Sequence, residues 1–224
     1  MRCLKLMRGE ISWLENVFVR RWILSSILIA GHVWCVACFA SYTWATVWLF
    51  QYPKGQPMQM KLIGAMGVMF FIAQLFAIVR TTPSGCVADL GLFLYALAFF
   101  IFWWAVPYAR RAMLNVAFTA TQPARLLTDG PYRYIRHPFY ASYFAFWIAG
   151  VLVSLRPWLL LSVVCMGSFY SLAIRQEETE FRQGPLRDAY KAYELATGKL
   201  LPRLIRSRDS VGAIFFALAL LGKR

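Results

Sequence analysis

Acidic residues are scarce in this chain. Only 10 of its 224 residues are Asp or Glu, against 24 Lys and Arg, and the formal net charge is +14. Charged residues make up 15% of the sequence and hydrophobic residues 60%, more than is usual for a soluble domain. The chain also lacks a segment resembling a nucleic-acid module with stacking aromatics. We therefore expect its basic residues to flank lipid and predict no nucleic-acid partner.

The cysteines give no disulfide framework. There are five, an odd number, and no set of loops spaces them as a scaffold would. Cys35 and Cys38 form a CxxC pattern, and His32 lies one turn before them. All three lie within an apolar run and have no fourth ligand nearby, so we predict no metal site. We expect these side chains to pack in a core.

Long apolar runs dominate the rest of the sequence. A helix needs about 20 mainly apolar residues to cross a bilayer. The chain has five such runs: 22–50, 61–79, 87–107, 140–155 and 158–174. The first is too long for the apolar part of a cleavable signal peptide, so we expect none. The predicted fold class is all-α, a polytopic membrane helical bundle with about five transmembrane helices, and Arg156-Pro157 predicts a tight hairpin of the last two.

The remaining segments are polar or short. Residues 1–21 mix basic and apolar side chains, which is typical of an interfacial amphipathic helix. Residues 108–139 carry five arginines and are broken by proline and glycine, so this stretch does not lie in lipid. Residues 175–199 predict a polar C-terminal helix. The apolar stretch at 213–221 is too short to span a bilayer and is expected at the interface.

These patterns predict three parts of the chain: an N-terminal region with three spans (1–107), a region with the membrane hairpin (108–205) and a C-terminal tail (206–224). Five spans place 108–139 and the C-terminal part on one side, with 17 Lys and Arg against seven on the other. The positive-inside rule makes the richer side cytoplasmic. The five basic residues at the N-terminus count against this orientation.

Three polar groupings lie at the ends of the predicted hairpin. They run from Leu126 to Tyr132, from Arg136 to Tyr140 and from Arg175 to Glu178. A hairpin returns to the face it left, so we expect the last two groupings to meet at the edge of the hydrocarbon, where ionisable groups usually face a protein interior. Plainer interpretations remain open: arginines at headgroups, glutamates at a helix terminus, and a helix start at Pro138.

The same groupings carry a resemblance to a known family. Residues 130–140, GPYRYIRHPFY, resemble the GxYxxxRHPxY signature of the isoprenylcysteine carboxyl methyltransferase and phospholipid methyltransferase superfamily. Its members are integral membrane enzymes that use S-adenosylmethionine. Residues 177–181 resemble the EExxL segment of that family, and Tyr190, Tyr193 and Leu201-Pro202 resemble its YxxY and LP elements. The resemblance covers roughly residues 108–205.

Two details qualify the resemblance. Ser142 stands where the family often has glycine, and the Glu pair lies one residue further from Tyr190 than the family spacing. Membrane NADPH-dependent sterol reductases share a related C-terminal pattern, but their NYxGE-like stretch is replaced here by Phe139 to Tyr143. A sterol-reductase-like enzyme and a non-catalytic membrane scaffold remain as alternatives.

The resemblance implies methyl transfer from S-adenosylmethionine to a lipidic or small membrane-accessible carboxylate, amine or thiol. It implies that nine residues contact the cofactor: Leu126, Leu127, Tyr132, His137, Pro138, Phe139, Tyr140, Glu177 and Glu178. Arg175 is the candidate for the acceptor side, because its planar fork suits a carboxylate or phosphate. The predicted catalytic residues are Arg175, Glu178 and His137. The sequence leaves open the acceptor, the essential glutamate and the oligomeric state.

Overall fold

The structure is a computed structural model that describes residues 2–49, 58–81, 85–112 and 126–203. Its helices are α1 (Arg2–Trp48), α2 (Met58–Val79), α3 (Cys86–Ala112), α4 (Pro138–Ser154), α5 (Leu160–Gln183) and α6 (Arg187–Ala196). Single 3₁₀ turns precede α4 and α5. Residues 51–57 and the apolar stretch predicted at 213–221 lie outside the described residues.

Within the described ranges, four helices are long and apolar enough to cross a bilayer: Ser25–Trp48 within α1, Met58–Val79, Cys86–Arg111 and Pro157–Gln183. One further apolar helix, α4, is shorter: it has 17 residues, about 26 Å of helix. The predicted class of a polytopic helical bundle is therefore confirmed, and the chain is an integral membrane protein. The predicted span at 140–155 is this short helix.

Two boundaries differ from the prediction. Residues 2–21 are helical but continue into the first span without a break, as one 47-residue helix. The segment 175–199 is not one helix, because α5 continues to Gln183 and α6 begins only at Arg187. Gly184 between them is extended, with φ −87° and ψ 179°. Pro185 follows, and proline disfavours a helical conformation in the residue before it. The Glu pair thus belongs to α5.

The short helix α4 packs closely on its neighbours through glycine. A Cβ added at Gly91 of α3 would lie 2.8 Å from the backbone nitrogen of Val153 and 3.0 Å from the carbonyl oxygen of Ala149. Gly150 lies against the amide of Gln74, which is fully buried. Small residues let helix backbones approach in a membrane, where dispersion contacts drive association. Helix α4 is therefore held between α2 and α3.

Buried hydrogen bonds also connect α4 to the first three helices. The Tyr42 hydroxyl contacts Ser142 Oγ at 2.9 Å, and Ser142 Oγ donates to the Ala98 carbonyl at 2.9 Å. Ser142, which stands where the family often has glycine, thus joins α4 to α1 and α3. The amide of Gln74 donates to the Tyr95 hydroxyl at 2.5 Å. Cys35 and Cys38 are buried in the same core as free thiols.

The close approach of α3 to α4 can be tested by adding one methyl group. We expect Gly91→Ala to destabilise the protein by about 1–3 kcal/mol, because the new Cβ meets backbone atoms that cannot rotate away. Thermal unfolding in detergent, followed by circular dichroism, measures the effect. Gly64→Ala is the matched control, since nothing lies within 4 Å of an added Cβ there. Equal stability of the two variants would contradict the close contact.

Candidate active site

The start of α4 and the end of α5 bring two of the polar groupings together. His137 precedes α4, and Pro138 is its first residue, a position that suits proline because no helical N–H is lost. The Tyr140 hydroxyl donates to Glu177 Oε1 at 2.6 Å. His137 Nδ1 lies 3.5 Å from Glu177 Oε2, and its Nε2 lies 3.4 Å from Glu178 Oε1. The convergence expected from the hairpin is present.

Glu178 is the most buried carboxylate of this cluster, at 1% exposure. Four cationic groups surround it. Besides His137, Arg136 Nη2 lies 3.4 Å from Oε1, and Arg182 Nη2 and Lys199 Nζ lie 3.2 and 2.9 Å from Oε2. A buried carboxylate costs several kcal/mol unless it is paired and hydrogen-bonded. The partners leave Glu178 little free capacity to accept a further hydrogen bond.

Glu177 differs from its neighbour. Its side chain is 30% exposed, and its partners are the Tyr140 hydroxyl and His137. No Lys or Arg within the described part of the chain forms an ion pair with it. A carboxylate has about four acceptor positions. Glu177 therefore keeps accepting capacity and negative charge for a ligand.

The Tyr132 hydroxyl is a second polar group with free capacity. It is buried and has no hydrogen-bond partner among the described residues. Burial, with Tyr193 and Glu177 nearby, holds the pKa of Tyr132 well above its usual range, so the hydroxyl stays protonated. The Tyr193 hydroxyl donates to the carbonyl of Tyr132 at 2.6 Å and fixes the backbone here. A buried, unpaired hydroxyl is rare in proteins and indicates a place for a ligand or water.

Four other residues predicted to contact the cofactor are placed mainly by packing. Leu127 and Phe139 join an apolar cluster with Tyr132 at the ends of α1 and α3. The Phe139 ring lies edge-on to Phe102, with 5.3 Å between ring centroids. Pro138 is buried at the start of α4, and Leu126 is half-buried. Leu127 and Phe139 thus lie in the apolar cluster that contains Tyr132.

Arg175 is not brought to the carboxylates. Its side chain is exposed, while the adjacent Ile174 and the following Glu178 are buried. It therefore lies on a different side of α5 from the cluster. Its assignment to the acceptor remains a prediction that the geometry does not support by contact.

Several residues of the cluster were absent from the predicted site. Arg136 was part of a polar grouping, but Arg182 and Lys199 were not assigned to the site. Lys199 belongs to residues 197–199, called the C-terminal strap below, which lie beside the chain before α4. Arg136 N donates to the Gly198 carbonyl at 2.8 Å. Neither helical nor strand periodicity marks so short a segment, and the nearby LP element was its only signal.

His137 gives the cluster a pH dependence. Burial lowers its pKa, but hydrogen bonds to Glu177 and Glu178 outweigh burial and raise the pKa above its ordinary value of 6.5. The resulting stabilisation is complete below about pH 6.5 and is lost as pH rises through the raised pKa.

We expect the unfolding temperature of the protein to fall as pH rises through the raised pKa of His137. In His137→Gln this fall should be absent, whereas His32→Gln should keep it.

The segment that carries the two glutamates is similar to a known protein family. Residues 88–183 match the model of the isoprenylcysteine carboxyl methyltransferase (ICMT) family. The matched segment contains most of α3 and all of α4 and α5, and so both glutamates, and it ends before α6 and the C-terminal strap. No curated protein and no solved structure matches the chain significantly. Over residues 88–183 the chain is therefore similar to the isoprenylcysteine carboxyl methyltransferase family.

Proposed function

We propose that this chain transfers a methyl group from S-adenosylmethionine to a lipidic or small membrane-accessible acceptor at the cytoplasmic membrane face. The observation that supports it is the pair of groups with free capacity, Glu177 and the Tyr132 hydroxyl, beside the Glu178 carboxylate, whose oxygens already face His137 and three Arg or Lys side chains. The family match supports the reaction class, and the count of basic residues supports the orientation.

The free groups suit the charges of this cofactor. S-adenosylmethionine, when bound, supplies a methyl group on a positively charged sulfur. Glu177 would accept its cationic groups, and the Tyr132 hydroxyl would form a polar contact. Tyr140 holds Oε1 of Glu177 in place, so the carboxylate is oriented before a ligand arrives. Such preorganisation lowers the cost of binding and of positioning reactants.

The two glutamates thus have different roles in this proposal. Glu177 binds the ligand. Glu178 holds Arg136 and His137 in place, since its oxygens already face four cationic groups. The sequence alone left the essential glutamate open, and the different burial and partners of the two glutamates support a separate task for each.

The protonation of His137 bears on the acceptor. Its pKa is raised by the two glutamates, which favours the protonated imidazole, and both of its ring nitrogens face carboxylates, so neither nitrogen is free to act as a general base. An amine acceptor must lose a proton during methyl transfer, whereas a carboxylate or thiolate need not. His137 therefore favours an anionic acceptor, and its own role is to hold the two carboxylates in position.

The membrane side of the site is aromatic. The Tyr143 and Tyr170 rings lie 6.0 and 5.9 Å from the Tyr140 ring, between centroids. The Trp147 indole N–H donates to the Tyr170 hydroxyl at 3.1 Å. The polar atoms of these two side chains therefore bind each other, and their rings remain as apolar surface. Aromatic walls with few polar groups are typical of sites for apolar ligands. This supports an acceptor with an apolar part.

Substitution of each glutamate separates the two roles. We expect wild-type protein in detergent to bind S-adenosylmethionine in calorimetry and Glu177→Gln to bind at least tenfold more weakly, with a near wild-type unfolding temperature. Glu178→Gln should instead destabilise the fold by about 3 kcal/mol, because it leaves buried cations without a counter-charge. Glu180→Gln is the control on the same helix. Wild-type affinity in Glu177→Gln would refute the assignment.

Activity is tested with methyl-labelled cofactor and a total lipid extract. We expect label to appear in a lipidic product with wild-type protein and not with Glu177→Gln. Identification of that product names the acceptor. Binding of NADPH in place of S-adenosylmethionine would support the reductase-like alternative. A ligand that binds the native state raises the apparent stability of the protein. An unfolding temperature that neither cofactor raises would therefore support a non-catalytic scaffold.

A further inference from the structure

The C-terminal strap fixes the backbone of the candidate site from outside the segment that matches the family. Gly198 N donates to the Tyr134 carbonyl at 3.2 Å, and its own carbonyl accepts from Arg136 N at 2.8 Å. The Lys199 carbonyl accepts from His137 N at 3.2 Å. Residues 134–137 are therefore paired along one edge with a short extended segment.

The side chain of Arg136 strengthens the same attachment. Its Nη1 donates to the carbonyl oxygens of Glu194 and Thr197, at 3.0 and 2.7 Å. These carbonyls lie at the C-terminal end of α6, where helix carbonyls lack helical partners and a cation is favourable. The guanidinium also contacts Glu178, so one residue joins α5, α6 and the strap.

Lys199 makes the shortest ionic contact to Glu178, at 2.9 Å. Its side chain is 46% exposed, whereas that of Glu178 is 2% exposed. Lys199 approaches Oε2 of the carboxylate, and His137 approaches Oε1. The ammonium thus offsets part of the negative charge that acts on the imidazole from the other oxygen.

We propose that the C-terminal strap is a latch on the candidate site and that Lys199 is its positioning residue, fixing the Glu178 carboxylate and moderating its hold on the His137 proton. The proposal rests on the proposed function only for its effect on cofactor binding. The electrostatic part concerns the protein alone.

The other charged and titratable groups around His137 stay in place when Lys199 is changed. On α5 these are Glu177 and Glu178, with Arg182 on the far oxygen of Glu178. On α4 the Tyr140 hydroxyl binds Glu177, and in the preceding segment Arg136 contacts Glu178 and also Glu194 of α6. Removal of the Lys199 charge therefore leaves Glu178 more negative toward the imidazole.

Nuclear magnetic resonance of the histidine ring tests the latch directly. The chain has two histidines, so a His32→Gln background leaves His137 as the single reporter. In this background Lys199→Met should raise the pKa of His137 by roughly half to one pH unit, since a nearby charge has been removed in a medium of intermediate dielectric. Lys199→Arg should restore the wild-type value. Lys191→Met, an exposed lysine of α6, is the matched control and should change nothing.

A second variant tests the proposal if Lys199→Met does not fold. An added Cβ at Gly198 would clash with the Leu201 carbonyl, so Gly198→Ala displaces the strap and should raise the pKa of His137 in the same direction. An unchanged pKa in either folded variant overturns the proposal. In calorimetry Lys199→Met should weaken S-adenosylmethionine binding about tenfold and Lys199→Arg should not. Wild-type protein that does not bind the cofactor refutes the proposed function alone, because the pKa is measured without it.

Discussion

The arrangement at the candidate site depends on one carboxylate charge that is removed from water. Glu178 is buried near the C-terminal end of α5, where an unpaired charge would cost several kcal/mol. Its compensation draws in groups from separate elements, namely the segment before α4, the last turn of α5 and the C-terminal strap. The positions of these three elements at the site therefore depend on their contacts with Glu178. Glu177, one residue away, has no such set of cations and so remains available for chemistry.

Much of this arrangement is predictable from the sequence because it follows from the bilayer. The five apolar runs predicted the five apolar helices α1 to α5, and Arg156-Pro157 predicted the hairpin that brings His137 and Tyr140 to the Glu pair. The resemblance to methyltransferases named the same residues independently. The short length of α4 was also visible in the sequence, since its apolar run was the shortest of the five.

Other features depend on tertiary contacts that leave no local pattern. The roles of Glu177 and Glu178 differ only through their partners, and no spacing distinguishes adjacent glutamates. Lys199 lies on a segment too short to show periodicity. The exposure of Arg175 depends on how α5 is rotated against α4, and the residues next to Arg175 in the sequence do not reveal that rotation. The break at Gly184-Pro185 was readable in principle, yet the polar composition around it favoured one continuous helix.

The length of α4 has a consequence for the surrounding lipid. A helix of about 26 Å is shorter than a hydrocarbon layer of about 30 Å, and such a difference is met by local thinning of the bilayer or by polar ends that lie below the headgroups. In both cases the headgroup plane and the first turn of α4 come to a similar depth. Under the proposed function, an amphiphilic acceptor in the leaflet would present its polar end to Tyr140 and Glu177 by lateral approach, while its apolar chain stays in the hydrocarbon.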